Sequence, residues 1–147
     1  MADFIMCWFI IPRIARAERL LSTPGSGILI LKNKRDKVNA MNYLIVIDMQ
    51  VDFISGALGS DRARAIVPKV VELVKDFDGK VIFTRDTHGK NYLRTQEGRN
   101  LPVEHCIQGT PGWQICPELG GFAENIVDKL SFGSISLPRV LAQEGTP

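Results

Sequence analysis

The stretch that decides the fold is Tyr43-Leu44-Ile45-Val46-Ile47-Asp48-Met49-Gln50-Val51-Asp52-Phe53. Its first five residues form an unbroken apolar, largely β-branched run, the pattern of a parallel strand buried on both faces. The run ends on a carboxylate. In an open α/β sheet the carboxyl ends of the strands rim the ligand crevice, so an acid there is half-desolvated and well placed for proton transfer. A lone Asp at such a point equally serves as a cap for a turn or the next helix. The same design recurs twice, however. Lys80-Val81-Ile82-Phe83-Thr84 runs into Arg85-Asp86-Thr87-His88, and Asn125-Ile126-Val127-Asp128 delivers Lys129. Three strands thus carry an acid, an Asp/His pair and a lysine to one edge of a sheet.

The segments between these strands fit that frame. Gly56-Ala57-Leu58-Gly59-Ser60 reads as a turn. Val67, Val70, Val71 and Val74 recur at helical spacing, predicting a helix from near Arg62 or Pro68 to about Phe77, with Pro68 placed in its first turn. Asp78-Gly79 closes it. Strand, helix, strand with short connections is a right-handed βαβ unit with parallel strands. The connection from Thr87 to Gly121 lacks regular periodicity and contains Gly109-Thr110-Pro111-Gly112; loops this long inside a compact domain are usually functional. Leu137 to Gln143 predicts a short helix with Pro138 in its first turn. The expected fold class is α/β.

Composition bounds the function. The 147 residues are 45% hydrophobic and 23% charged, ordinary for one soluble domain, and a net charge of +2 without basic runs interleaved with aromatics argues against a nucleic-acid partner. No apolar run approaches the roughly 18–20 residues needed to cross a bilayer. Cys7, Cys106 and Cys116 are an odd set without CxxC spacing, which suits a reducing cytoplasm. Cys106 adjoins His105 but reads first as a small buried hydrophobe.

Residues 1–40 stand apart. They carry seven Lys/Arg against three Asp/Glu, a net of +4, which leaves −2 for the rest. The apolar run Phe4 to Ile11 follows Asp3 and precedes Pro12-Arg13, a poor match to a secretory signal. Ile14 to Leu21 fits a short basic amphipathic turn or two, Ser22 to Gly27 reads as linker, and Lys32 to Lys37 as a solvated charge run. The expectation is an irregular leader over 1–40, with Met41 as the natural start, and a domain over 41–147.

Two residue sets carry candidate chemistry. Asp86, His88 and His105 combine imidazole and carboxylate in numbers that suit zinc, iron or manganese, with Glu97 in the intervening loop as a further donor. Spacing alone leaves a structural histidine pair equally open. Asp48 and Lys129 on one crevice suit activation of a nucleophile, the carboxylate taking its proton and the ammonium favouring the anion. A snorkelling surface lysine is the alternative for Lys129.

Taken in order, Asp48-Met49-Gln50-Val51-Asp52-Phe53, Thr84-Arg85-Asp86-Thr87-His88, His105-Cys106-Ile107-Gln108-Gly109-Thr110-Pro111-Gly112-Trp113 and Asp128-Lys129-Leu130-Ser131-Phe132-Gly133-Ser134 resemble the isochorismatase-like cysteine hydrolases, on the side of the bacterial nicotinamidases. The resemblance spans nearly all of residues 41–140. It implies a doubly wound, Rossmann-like parallel sheet in three α/β/α layers, incomplete in this chain. It also implies cytoplasmic hydrolysis of nicotinamide to nicotinate and ammonia in NAD salvage. Asp48 would be the general base and Lys129 its partner. Asp86, His88, His105 and, more loosely, Glu97 would hold a divalent metal, zinc first and iron or manganese otherwise. Phe53 and Trp113 would wall the substrate ring, Trp113 with a plain core role as its alternative. The partner implied is a nicotinamide-like small molecule, with neither nucleic acid nor membrane; a homo-oligomer is left open.

Two departures qualify the resemblance. Leu130 stands where the family usually has proline after the lysine. The family's nucleophilic cysteine, in a Gly-x-x-Thr-Asp-x-Cys context at a helix N-terminus, has no counterpart in this sequence. The chain is therefore expected to be truncated before that cysteine and inactive alone. The alternatives are a related hydrolase of another small amide or vinyl ether, and a non-catalytic metal- or ligand-binding remnant.

Overall fold

The computed structural model describes residues 15–23, 26–33, 42–131 and 133–144. Among the described residues five strands form one sheet in the order β1 (Ala15–Thr23), β2 (Ser26–Asn33), β3 (Tyr43–Ile47), β4 (Lys80–Asp86) and β5 (Ile126–Lys129). β3, β4 and β5 run parallel, in registers that set Ile47 beside Thr84 and Asp86 beside Lys129. Those two pairings alone bring Asp48, Asp86 and Lys129 to one edge.

The helices are α1 (Val51–Ile54), α2 (Asp61–Asp76), α3 (Gln96–Asn100), α4 (Pro117–Gly120) and α5 (Ser136–Glu144). Alternation along β3 divides the core between the faces of the sheet. Leu44 and Val46 pack with Phe83, with Ala63, Val67, Val70 and Val74 of α2, and with Leu119 of α4. Tyr43 and Ile45 pack with Ile82 and Val127, and Leu137, Val140 and Leu141 of α5 close over them. Helices on both faces of a parallel core make this an α/β, doubly wound arrangement, as expected.

Two expectations change. Pro68 lies inside α2, not in its first turn. Ser60 caps the helix by accepting the Ala63 N–H at 3.1 Å, so it starts at Asp61, and Pro68 is exposed. The carbonyl that loses its partner there can face water, while the buried valine stripe holds the helix together.

The leader is also not irregular over residues 15–23 and 26–33. β1 and β2 form an antiparallel pair, and β2 pairs antiparallel with β3 from Gly27↔Ile47 to Leu31↔Tyr43. The segment read as a basic amphipathic turn and a linker is therefore largely strand. The physical reason lies in β3: its free edge would be long and apolar, and β2 covers it. Ile28, 1% exposed, joins Leu44 and Val46 in the core. The apolar run Phe4 to Ile11 and most of the Lys32 to Lys37 run lie outside the described residues.

Candidate active site

The site grows from the carboxyl ends of β3, β4 and β5. After Ile47 the backbone turns out of the strand at Asp48, whose φ of 50° is a left-handed conformation that a non-glycine residue holds only when its surroundings impose it. Thr84 imposes it. The Asp48 N–H donates to the Thr84 carbonyl at 3.2 Å, and the Thr84 hydroxyl donates to Asp48 Oδ1 at 2.7 Å. Asp48 Oδ2 then meets Lys129 Nζ at 2.7 Å, and the same ammonium donates to Asp86 Oδ1 at 3.1 Å. All three groups are buried.

Burial alone makes such charges costly; the pairing holds them. Desolvation lifts the Asp48 carboxyl above the ordinary carboxylate range even with Lys129 beside it, which makes it a better proton acceptor. Burial would lower Lys129, but Asp48 and Asp86 outweigh it and hold the ammonium charged. Burial would raise Asp86; its contacts with His88 and Lys129 hold it below the usual range instead.

Asp86 Oδ2 faces a second set of donors. His88 Nε2 lies 3.0 Å away and His105 Nε2 3.9 Å, and Glu97 Oε1 lies 3.9 Å from His88 Nε2. One ligand atom from each of Asp86, His88, Glu97 and His105 falls within 4.8 Å of the others. His88 Nε2 is buried without an aligned hydrogen-bond partner. The other imidazole is oriented: His105 Nδ1 meets the Val103 carbonyl at 2.8 Å and leaves Nε2 for the cluster. A buried imidazole nitrogen without an aligned partner among the described residues, a second imidazole aimed by its far nitrogen and two carboxylates make a donor set that fits a divalent metal.

Loops bring these donors together. The His88 N–H donates to the Cys106 carbonyl, and the Gln108 N–H to the His88 carbonyl, both at 2.9 Å, so the segment after His105 runs beside β4's exit. Asp52 pins that segment by accepting the Cys106 N–H at 2.8 Å, where Cys106 has a left-handed φ of 48°. Gly112 lies so close to the Asp52 carboxylate that any side chain at 112 would overlap it. Glu97 rides on α3, whose cap Thr95 accepts the Gly98 N–H at 3.0 Å; at Gly98 a Cβ would overlap the Tyr92 carbonyl. The buried Tyr92 ring packs on His88 and His105, at centroid distances of 4.6 and 5.0 Å.

Of the eight residues singled out from the sequence, six come together here. Asp48, Lys129, Asp86, His88, His105 and Glu97 form one connected cluster. Phe53 is buried with its ring edge-on to His105 at 5.5 Å. Trp113 is half-buried: its Nε1 donates to the Thr87 hydroxyl at 2.9 Å, and the Arg85 guanidinium lies 3.4 Å over its ring. Residues the sequence reading assigned no role are Thr84, Tyr92, Gln50 and Asp52. The last two lie inside the diagnostic stretch, but their partners are 36 and 54 residues away.

The domain profile described as isochorismatase domain matches residues 42–146, so the chain belongs to the isochorismatase family. Among solved structures it is similar to the pyrazinamidase of Pyrococcus horikoshii in complex with zinc, with 32% identity and a TM-score of 0.55 over 69% of this chain and 63% of that one. It is also similar to a nicotinamidase/pyrazinamidase of Acinetobacter baumannii, with 28% identity and a TM-score of 0.48 over 58% of this chain and 49% of that one. The chain thus spans less than two thirds of either structure. No curated protein matches it. Among the described residues no helix is long and apolar enough to cross a membrane.

Proposed function

We propose that this chain carries the base and metal side of a nicotinamidase-like amidohydrolase site, and that it binds a nicotinamide-class carboxamide with a divalent metal, zinc first. The observation that carries this reading is Asp86. One carboxylate oxygen closes the Asp48–Lys129 pair and the other faces the His88, His105 and Glu97 donors. A proton-accepting pair and a metal pocket sharing one residue lie next to each other by construction. Family membership and the zinc-containing pyrazinamidase neighbour support the same reading.

In this reading Asp86, His88, His105 and Glu97 hold the metal, which supplies a Lewis-acid anchor for a ring nitrogen. Phe53, packed on His105, and Trp113 present aromatic surface to the ring. Asp48 accepts the proton of an attacking thiol, and Lys129 steadies the charge that passes to the carboxamide oxygen. The tetrahedral adduct breaks its C–N bond as Asp48 returns the proton to the departing ammonia, and water then hydrolyses the thioester to the acid and the free thiol. The described residues do not contribute that thiol. Cys106 and Cys116 are both buried; burial and neighbouring carboxylates push the Cys106 thiol far up, and burial with Glu118 brings Cys116 to about 11. Thiols so disfavoured as thiolates are poor nucleophiles. Cys7 lies outside the described residues.

The expected result is metal-dependent nicotinamide binding by calorimetry without ammonia release. Ammonia release abolished by Lys129→Ala would show that another group serves as nucleophile. Metal uptake without nicotinamide binding would favour a relative acting on another small amide or vinyl ether, which a substrate screen would resolve.

A further inference from the structure

Gln50 is fully buried, and its amide makes three hydrogen bonds. Oε1 accepts the Asp86 N–H at 2.7 Å, while Nε2 donates to the Asp86 carbonyl and to the Trp113 carbonyl, each at 2.8 Å. The side chain therefore reads both main-chain groups of Asp86, as a neighbouring strand would. It does so where the strand itself has left: the last backbone register pair of β3 and β4 is Ile47↔Thr84, and the chain turns away at Asp48. Without Gln50 the polar main chain of Asp86 would be buried beyond the end of the ladder with no partner on that side.

We propose that Gln50 is the positioning residue for Asp86, extending the sheet by one side chain so that the Asp86 carboxylate stands between Lys129 and the histidines. This rests on the metal reading of Asp86, His88, His105 and Glu97. The geometry is demanding, because a carboxylate that must face an ammonium through Oδ1 and two imidazoles through Oδ2 has little freedom at its Cα. A primary amide meets that demand. Only Gln and Asn offer an acceptor and two donors in one plane, and Asn is a methylene too short. A carboxylate at 50 would keep the acceptor, lose both donors and add a third negative charge beside Asp48 and Asp86.

The experiment compares Gln50→Met, Gln50→Glu and the core control Val70→Ala with the unaltered chain. Zinc affinity is measured by competition with a chromophoric chelator, the visible spectrum of the cobalt(II) form is recorded, and exchange of the Asp86 amide hydrogen is followed by NMR. Gln50→Met and Gln50→Glu should each weaken zinc binding about tenfold or more and alter the cobalt spectrum, and Gln50→Met, which alone removes the acceptor of the Asp86 N–H, should also accelerate Asp86 exchange. Val70→Ala should lower thermal stability while leaving zinc affinity and the spectrum within about twofold of the unaltered chain; that margin separates positioning from general loosening. Wild-type zinc affinity and Asp86 protection in a folded Gln50 variant would overturn the proposal, as would equal losses in Val70→Ala. If Gln50→Met does not fold, Gln50→Glu decides it by zinc affinity and the cobalt spectrum. If the unaltered chain takes up no zinc, the metal reading fails, and Asp86 exchange alone then decides whether Gln50 holds that residue.

Discussion

On one flank of Asp86, Asp48 and Lys129 sit at strand ends whose places follow from the register of three parallel strands. On the other, His88 and His105 sit on loop segments and Glu97 on the short helix α3, all fixed by individual hydrogen bonds, such as Asp52 to the Cys106 N–H and Thr95 to the Gly98 N–H. The strand-end flank is closed, its buried charges already paired with one another. The loop flank is open, with an imidazole nitrogen lacking an aligned partner. The first should therefore matter most to whether the chain folds, and the second to what it binds.

The sharpest way to break this contrast is Lys129→Met. It leaves Asp48 and Asp86 buried side by side without their shared cation, and removing one partner of a buried ion pair costs about 3–5 kcal/mol. Urea denaturation at pH 7 should register a loss of that size. The deficit should shrink as pH falls, because burial already holds the Asp48 carboxyl above its unfolded pKa, the variant removes the cation that restrained it, and its protonation relieves the repulsion. A variant as stable as the original at pH 7 would mean that the pair is not buried in solution.

On the loop flank, Gly98→Ala tests the packing that places Glu97. The added methyl meets the Tyr92 carbonyl, and overpacking of this kind costs about 1–3 kcal/mol. Zinc affinity, measured by chelator competition, should fall as well, since Tyr92 packs on both histidines and Glu97 follows α3. Unchanged affinity would remove Glu97 and its helix from the metal set.

What could be read from the sequence follows the same division. The strand-end residues were legible because a buried parallel strand writes itself as an apolar run, and its next residue must lie on the crevice rim. The Asp-x-His pair followed from the same rule. Glu97 reads from the sequence only as a further donor somewhere in the intervening loop, since its place depends on a turn capped by Thr95 and on the Gly98–Tyr92 approach, neither of which shows as periodicity. Gln50 and Asp52 look like ordinary turn residues until their distant partners are known. The leader strands are not legible because Ser22 to Gly27 reads as linker, although Thr23 pairs with Ser26 across a strand pair that extends the sheet.

Acidity gives a third test. Burial would lower the His88 pKa, but its contact with the Asp86 carboxylate and then the Glu97 charge raise it above 6.5. A raised histidine pKa stabilises the metal-free fold below 6.5, and that contribution is lost as pH rises through the folded value. Zinc needs the neutral imidazole, so its affinity should fall about tenfold per pH unit once the pH drops below the raised value, starting above 6.5. Calorimetric titrations between pH 5 and 8 read this directly, and a flat profile across pH 6 to 7 would take His88 out of the ligand set.

The smallest expected effect separates the two flanks most cleanly. Ser60 caps α2, whose buried valines pack against the sheet and lie on neither flank of Asp86. Ser60→Ala removes one cap hydrogen bond and should cost about 1 kcal/mol, a shift readily read by thermal melting. Zinc affinity and its pH profile should not move, because the loop flank is held by its own bonds to Asp52, Thr95 and Gln50 and draws nothing from the start of α2. A parallel loss of zinc affinity would show that the loops follow the global stability of the sheet, and the contrast between a fold-determining and a ligand-determining flank would collapse into one cooperative unit.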